Sequence, residues 1–220
     1  MKGLFIVSMV TLSFIGTLAA AEKKFDQADI YMEQNASDND LEVVIKATGG
    51  NVGMVDLKIV APNGRTVVDI KSDNKMGLRH FDFESPEPKN DGSLKKDFPV
   101  GEYTFSGTFM SGEKLSAKST LNHKLPSVAT FVYPINEADN IDSQNLVIKW
   151  KTQEIHDNII ITIEEETSGQ EVKATLLGSA KSFKVPNGFM MPNTTYKVSI
   201  GTIAKNKNGS FVEVEIKTAK

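Results

Sequence analysis

The chain has 220 residues, no cysteine and a formal net charge of −3 at pH 7. The lack of cysteine excludes disulfides, thiolate metal sites and cysteine nucleophiles. No basic patch stands out in the sequence, which argues against nucleic acid as a partner, and a hydrophobic fraction of 40% is too high for disorder and too low for a membrane bundle.

The first 21 residues have the three-part pattern of a secretory signal. Lys2 supplies the positive start, residues 4–20 are apolar or small, and cleavage is predicted after Ala21. The alternative is a retained anchor, but the apolar stretch is slightly short for a span of roughly 20 residues. Because a secreted eukaryotic sandwich of this size usually carries disulfides, we expect a bacterial exported protein, either periplasmic or extracellular.

Short alternating segments fill residues 22–122, the predicted first unit. Asn63-Gly64 lies between two of them and predicts a hairpin turn, because both residues tolerate positive φ. A short helical turn is predicted over 93–98. The predicted strands cover 28–34, 41–46, 55–60, 66–70, 79–84, 103–109 and 114–121.

Pro99 and Gly101 lead into a strand whose aromatic residues alternate. Tyr103, Phe105 and Phe109 share one face of it, so they are predicted to lie in the core. A tyrosine that enters a late strand in this way is expected to fix a corner of a two-sheet sandwich. The predicted structural residues here are therefore Pro99, Gly101 and Tyr103.

Residues 123–127, which include Pro126, are the predicted linker, and residues 128–220 are the second unit. Its organising strand is Leu146 to Trp150, with the only tryptophan of the chain on the same face as Leu146 and Ile148. Trp150 is expected to be buried in the core. An acidic loop is predicted over 134–145, and further strands over 129–133, 158–164, 171–176, 181–185, 196–200 and 212–217.

The second unit resembles a fibronectin type III domain. The residues that carry the resemblance are Trp150, the corner from Met191 through Pro192 to Tyr196, and the alternating end of the chain, Val214 to Thr218. Phe98-Pro99-Val100-Gly101-Glu102-Tyr103 in the first unit is similar to a motif of uncharacterised exported bacterial proteins with two sandwiches. This resemblance implies no known reaction. The predicted fold is all-β, with two tandem antiparallel immunoglobulin- or fibronectin III-like sandwiches after a cleaved signal.

Residues that could carry chemistry are few. The histidines, His80, His123 and His156, lack metal-ligand spacing, and no nucleophile elbow, phosphate loop or dinucleotide fingerprint is present. Asp38 to Asp40 and Glu137 to Asp142 place oxygen ligands close together, as calcium requires, but solvated turn acids are the preferred interpretation. We therefore expect no catalytic residue, no metal and no cofactor.

The apolar loop Phe189-Met190-Met191 offers a last possibility. Met191 or Phe189 is predicted to cover one end of the core, and the alternatives are an exposed binding patch and an interdomain contact. Together these features predict a non-enzymatic exported binding or scaffold protein, with an unidentified protein or glycan of the cell envelope or exterior as its partner. The alternatives left open are an accessory carbohydrate-binding protein and a hydrolase with an unrecognised site.

Overall fold

The computed structural model describes residues 23–73, 75–88 and 91–220. The predicted signal, 1–21, lies outside these residues. Among the described residues no helix combines the length and the apolar composition needed to cross a membrane.

The first sandwich consists of seven strands in two sheets. One sheet has the order β1-β2-β5 and the other the order β4-β3-β6-β7. A helix of 7 residues, α1 (Asp91–Asp97), lies between β5 and β6 and overlaps the predicted helical turn at 93–98. The strands are β1 (Gln27–Asn35), β2 (Asp40–Thr48), β3 (Met54–Val60), β4 (Thr66–Lys71), β5 (His80–Glu84), β6 (Gly101–Phe109) and β7 (Lys114–Leu121).

The second sandwich repeats this arrangement. Its small sheet has the order β13-β10-β8 and its large sheet the order β12-β11-β14-β15. If β9 is left out and the strands of each sandwich are counted from its first strand, the first, second and fifth strands form one sheet in both sandwiches, and the fourth, third, sixth and seventh form the other. The strands are β8 (Thr130–Tyr133), β9 (Ala138–Ile141), β10 (Val147–Lys151), β11 (Asn158–Glu165), β12 (Glu171–Leu177), β13 (Ser182–Lys184), β14 (Thr195–Ile203) and β15 (Gly209–Thr218). The prediction of an all-β chain with two sandwiches is confirmed.

One predicted loop contains a strand. Residues 134–145 read as an acidic loop, but β9 lies inside it and pairs in parallel with the end of β15, Ala138 opposite Ile216. Its sequence, Ala-Asp-Asn-Ile, does not alternate: Ala138 and Ile141 pack at the core, and the two residues between them are exposed. For this reason the alternation of apolar and polar residues could not predict that β9 is a strand.

Each sandwich has its own hydrophobic core, built from the inward positions of its strands. Tyr103 and Phe105 are fully buried in the first core, and Phe109 is 7% exposed, as the alternation along β6 predicted. The second core contains Trp150 and Tyr196, which belong to opposite sheets. Burying two aromatic side chains of this size in each core supplies a large share of the hydrophobic stabilisation.

The two sandwiches share one continuous sheet. β15 of the second sandwich pairs in parallel with β1 of the first, from Glu33 opposite Gly209 to Asn35 opposite Phe211. This short pairing, called the seam below (33–35 with 209–211), joins β12-β11-β14-β15 to β1-β2-β5. The two sandwiches are therefore connected by backbone hydrogen bonds as well as by the chain between them.

A buried asparagine organises the contact beside the seam. Asn208, in the turn before β15, is only 1% exposed. Its Oδ1 accepts a hydrogen bond from the Met32 amide at 2.9 Å, while Nδ2 donates to the carbonyl oxygens of Asn122 at 2.9 Å and Lys124 at 3.0 Å. One side chain thus binds the first strand, the end of the first sandwich and the connection between the sandwiches.

The end of the predicted linker, 123–127, is bound by hydroxyl groups of the β14–β15 hairpin. Ser210 Oγ donates to the Pro126 carbonyl at 2.7 Å, and Thr202 Oγ1 donates to the Ser127 carbonyl at 2.8 Å. Both hydroxyl residues are fully buried. Hydrogen bonds depend on distance and angle, whereas an apolar contact can shift sideways at little cost. The hydrogen bonds at this contact therefore fix the orientation of one sandwich relative to the other.

Candidate binding surfaces

The predicted corner of the first sandwich is formed by Tyr103, Pro99 and Gly101. The Tyr103 hydroxyl donates to the Pro99 carbonyl oxygen at 3.1 Å, four residues upstream, and burial raises the pKa of this hydroxyl to about 12. Gly101 has φ +140°, and a Cβ there would lie 2.8 Å from Pro62. The strained backbone and the lack of space both require glycine at this position.

Removing the Tyr103 hydroxyl tests this corner. We expect Tyr103→Phe to lower the free energy of unfolding by about 1 kcal/mol, because the ring stays buried while one hydrogen bond is lost. Urea titration followed by circular dichroism measures the change. Tyr133→Phe, whose side chain is 44% exposed, is the matched control and should leave stability unchanged; equal effects in both variants would contradict a role for the Pro99 contact.

The second sandwich has a related corner with a different bond. The Tyr196 hydroxyl accepts from the Met191 amide at 2.8 Å, in the turn that contains Pro192. Trp150 is 2% exposed on β10, and its indole Nε1 has no hydrogen-bond partner among the described residues. The prediction that Met191 or Phe189 covers the end of the core holds for Phe189, which packs against the core and whose ring centroid lies 5.9 Å from that of Tyr196. It does not hold for Met191, which is 59% exposed, whereas Met190 is buried at 1% exposure.

The structure does not bring the three histidines together. His80 is exposed on β5, a ring nitrogen of His123 lies 2.8 Å from the Phe98 carbonyl oxygen, and His156 is 8% exposed. Burial lowers the pKa of His156. Among the described residues no group of three or more histidine or acidic side chains could hold a metal ion.

In the two acidic segments that could be read as calcium sites, Asp carboxylates accept hydrogen bonds from residues of the same turn. Asp38 Oδ1 accepts from the Asp40 amide at 3.4 Å. Asp142 accepts from the Gln144 amide at 2.8 Å and from the Asn145 side chain at 3.0 Å, and these bonds lower its pKa. Such local bonds are what Asp provides in turns.

A groove of about 450 Å³ crosses the outer face of the shared sheet. Both sandwiches line it, and it is called the sheet groove below. The first sandwich contributes one ring, four carboxylates, a lysine and two amide side chains; the second contributes one ring, one aliphatic side chain, a lysine and a carboxylate. The principal lining residues are Tyr31, Glu33, Glu42 and Glu84 on one side of the seam and Ile160, Lys173, Phe211 and Glu213 on the other.

Close backbone approach shapes the second half of the groove. The Phe211 ring lies flat against the neighbouring strand, where a Cβ on Gly201 would meet a ring carbon at 2.3 Å. Gly201 is directly opposite Phe211 in the β14–β15 ladder. Because Gly201 has no side chain, the Phe211 ring packs close to the β14 backbone, and this makes the groove deeper beside the seam.

Negative charge dominates the first half of the groove. Glu33 and Glu42 are direct cross-strand neighbours of β1 and β2. Burial, reinforced by the charges of Glu84, Asp40 and Glu33, raises the pKa of Glu42 to about 7. The pKa of Glu33 is also raised, mainly by burial, although Lys46 opposes this shift. A ligand with positive or hydrogen-bond-donating groups would relieve this repulsion.

Glu42 therefore predicts a pH-dependent stability. Its carboxyl group has a higher pKa in the folded chain, about 7, than the ordinary value of 4.5, so folding favours the protonated form. The stability that this proton contributes is complete below the unfolded pKa and is lost as the pH rises through about 7. We expect Glu42→Gln to match the parent protein at pH 4 and to exceed its unfolding free energy by about 1 kcal/mol at pH 8, after allowing for solvent screening.

Thermal unfolding at a series of pH values measures this difference. Glu87→Gln is the control, because Glu87 is exposed outside the groove. A gap between Glu42→Gln and the parent that stays constant from pH 4 to pH 8 would contradict the assignment.

A second surface, called the lysine face below, is the outer side of the small sheet β13-β10-β8. Lys149 and Lys151 are exposed on β10 and Lys184 is exposed on β13, whereas Ile148 and Trp150 between them point inward. No carboxylate of the described residues lies within ion-pair distance of these three lysines. This surface was not predicted from the sequence, although Lys149 and Lys151 on either side of Trp150 were a signal for it.

Three apolar side chains border the lysine face. Tyr133 is opposite Lys149 in the β8–β10 ladder, at an irregularity of the register. Val132 is 45% exposed, Tyr133 44% and Ile135 65%. Tyr133 thus lies beside Lys149 on the second sandwich, and Val132 and Ile135 flank Tyr133 along the chain.

No family model and no curated protein matches the chain. The chain is similar to a solved two-domain fibronectin type III segment of chicken tenascin, with 15% identity over 89% of this chain and 100% of that one, at a TM-score of 0.35. It is also similar to fibronectin(III)-like modules of Clostridium thermocellum CbhA (8% identity, 89% and 93% coverage, TM-score 0.37). The FN1–FN3 domains of chicken CNTN1 match with 13% identity, 90% and 66% coverage and a TM-score of 0.34.

Proposed function

We propose that the protein is an exported, non-enzymatic binding scaffold whose ligand occupies the sheet groove. The observation that supports this most directly is that the groove crosses the seam, so that Tyr31 and Glu33 of one sandwich and Phe211 and Glu213 of the other line the same surface. Neither sandwich has this surface alone. Fixing the two sandwiches in one orientation therefore creates a preorganised binding site, which lowers the entropic cost of binding.

Two classes of ligand fit the groove, an envelope protein and a glycan, and the composition of the groove supports the glycan. Tyr31 and Phe211 offer ring surface, while Gln34, Asn35 and the carboxylates offer hydrogen-bonding groups. Sugars combine apolar ring faces with hydroxyl groups, so a shallow surface with both kinds of group suits them. An envelope protein with basic side chains would instead use the carboxylates.

Capture of partners by the immobilised mature protein tests the proposed function. We expect envelope or medium fractions, or a glycan array, to yield one reproducible ligand that is lost in Glu33→Gln/Glu84→Gln. The matched control, Glu87→Gln/Glu171→Gln, changes the same net charge at exposed positions outside the groove and should retain the ligand. A ligand that both double variants retain would place the binding site elsewhere.

The hydrolase alternative has one observation in its favour. Glu33 and Glu42 face each other across β1 and β2 and both have a raised pKa, and a carboxyl pair with one proton is what glycoside hydrolysis uses. Incubating the protein with any polysaccharide that it binds, and measuring the release of reducing ends, separates the two functions. Release that disappears in Glu42→Gln would make the protein an enzyme.

A further inference from the structure

The lysine face differs in charge from the rest of the molecule. The chain as a whole carries −3, and the sheet groove is lined by more carboxylates than lysines. On the outer face of β13-β10-β8, by contrast, the outward strand positions include Lys149, Lys151 and Lys184 and no acidic residue. An anionic partner is therefore attracted to this face of an otherwise acidic protein.

The apolar border identifies the kind of anionic partner. Ile135 follows the end of β8 and is 65% exposed, beside Val132 and Tyr133, which are also more than two-fifths exposed. Lysines next to exposed aliphatic and tyrosine side chains match the boundary of a lipid bilayer, where headgroups attract cations and the layer below accepts apolar groups. A nucleic acid or an acidic glycan would use the lysines but would leave Ile135 exposed to water.

We propose that the lysine face docks on an anionic lipid surface, with Lys149, Lys151 and Lys184 at the phosphate headgroups and Ile135 inserted beside them. Each lysine near such a surface strengthens binding about fivefold, so that three lysines contribute about a hundredfold. Tyr133, with an apolar ring and a polar hydroxyl, is opposite Lys149 and two residues before the inserted side chain.

This orientation leaves the sheet groove accessible. The lysine face belongs to the small sheet of the second sandwich, whereas β11, β12 and β15, which carry the groove residues of that sandwich, belong to the opposite sheet. Docking of the small sheet on a lipid surface thus turns the groove away from that surface. The lipid site adds to the proposed function and does not depend on it, because it uses none of the groove residues.

Cosedimentation of the mature protein with vesicles tests the proposal. The probe is a vesicle of phosphatidylglycerol and phosphatidylethanolamine, and vesicles of phosphatidylcholine alone are the neutral comparison. We expect binding to the anionic vesicles only, and a loss of about a hundredfold in partitioning for Lys149→Gln/Lys151→Gln/Lys184→Gln. The matched control, Lys58→Gln/Lys71→Gln/Lys96→Gln, removes three exposed lysines of the first sandwich and should change partitioning less than threefold.

A second variant distinguishes lipid from other polyanions. Ile135→Ser should lower vesicle partitioning several-fold while retention on a heparin column stays unchanged, and Leu177→Ser, which alters a residue that is 78% exposed on β12, should change neither. Equal losses in the two lysine triple variants, or equal binding to neutral vesicles, would overturn the proposal. Retention on heparin that needs Lys149, Lys151 and Lys184, without any vesicle binding, would also overturn it and would identify a soluble polyanion. The capture experiment on the sheet groove is unaffected by all of these outcomes.

Discussion

Asn208→Leu is expected to lower the free energy of unfolding by about 4 kcal/mol. The substitution removes the bonds of one buried side chain to the Met32 amide and to the carbonyl oxygens of Asn122 and Lys124. A buried group without its partner costs roughly 1–3 kcal/mol, and three such groups remain beside the seam. Leucine has a similar volume, so the loss arises from unsatisfied polar groups rather than from a cavity.

The same variant should also change how the protein unfolds. In the parent protein the seam and the buried hydrogen bonds of the 123–127 segment couple the sandwiches, so we expect one cooperative transition in urea. In Asn208→Leu the transition should separate into two, because each sandwich keeps its own core while their contact is weakened. Emission of Trp150 reports the second sandwich, and far-ultraviolet circular dichroism reports both.

Two further variants make this result specific. Asn63→Leu changes an exposed turn residue whose Oδ1 accepts only from the nearby Arg65 amide, and it should cost less than about 1 kcal/mol. Asn208→Asp keeps an acceptor for the Met32 amide but places a carboxylate against two carbonyl oxygens, so it should destabilise the contact as well. A single transition with parent-like midpoint in Asn208→Leu would show that the sandwiches are not coupled through this residue.

Trp150→Ala is expected to destabilise the second sandwich by about 4 kcal/mol. Trp150 is 2% exposed between the two sheets, and truncating a buried large aromatic side chain typically costs 3–5 kcal/mol. Because the first sandwich has a separate core, its stability should change much less. Urea unfolding followed by circular dichroism measures the loss.

Trp150→Phe separates the ring from its polar nitrogen. The indole Nε1 has no partner among the described residues, so phenylalanine removes an unsatisfied buried donor together with part of the ring. We expect a loss well below that of Trp150→Ala, about 1 kcal/mol. In the parent protein the emission of Trp150 should be blue-shifted and weakly quenched by iodide; red-shifted and readily quenched emission would contradict its burial.

The strands and their inward faces could be predicted because each is encoded locally. Alternation along β6 and β10 placed Tyr103, Phe105 and Trp150 on inward faces, and the structure buries all three. Asn63-Gly64 marked a turn, and the turn lies there, with Gly64 at φ +82°. In each case the signal lies within a few residues of the feature that it predicts.

The seam and the binding surfaces could not be predicted, because they depend on pairings between distant segments. Glu33 and Gly209 are 176 residues apart and carry no pattern that marks them as neighbours. The sheet groove exists only once these segments pair. The lysine face likewise needs β13 to lie beside β10, since Lys149 and Lys184 belong to different strands.

The loop before Pro192 could be predicted only in part: Phe189 packs against the core as expected, but Met191 does not. Phe189, Met190 and Met191 are all apolar, and outside a strand no two-residue period decides which one faces inward. The turn around Pro192, which the Tyr196 hydroxyl binds through the Met191 amide, directs Met190 into the core and Met191 outward.

The seam also sets an order of events during biosynthesis. A ribosome delivers β1 first, and the strand that pairs with it follows 176 residues later, from Glu33 to Gly209. Until then the side of β1 next to the seam is an uncovered strand edge on a sandwich whose other strands are already present, and such edges recruit other chains. The newly made protein therefore passes through a period of exposure that ends only when β15 arrives, and a chaperone that binds extended edges would act in that interval.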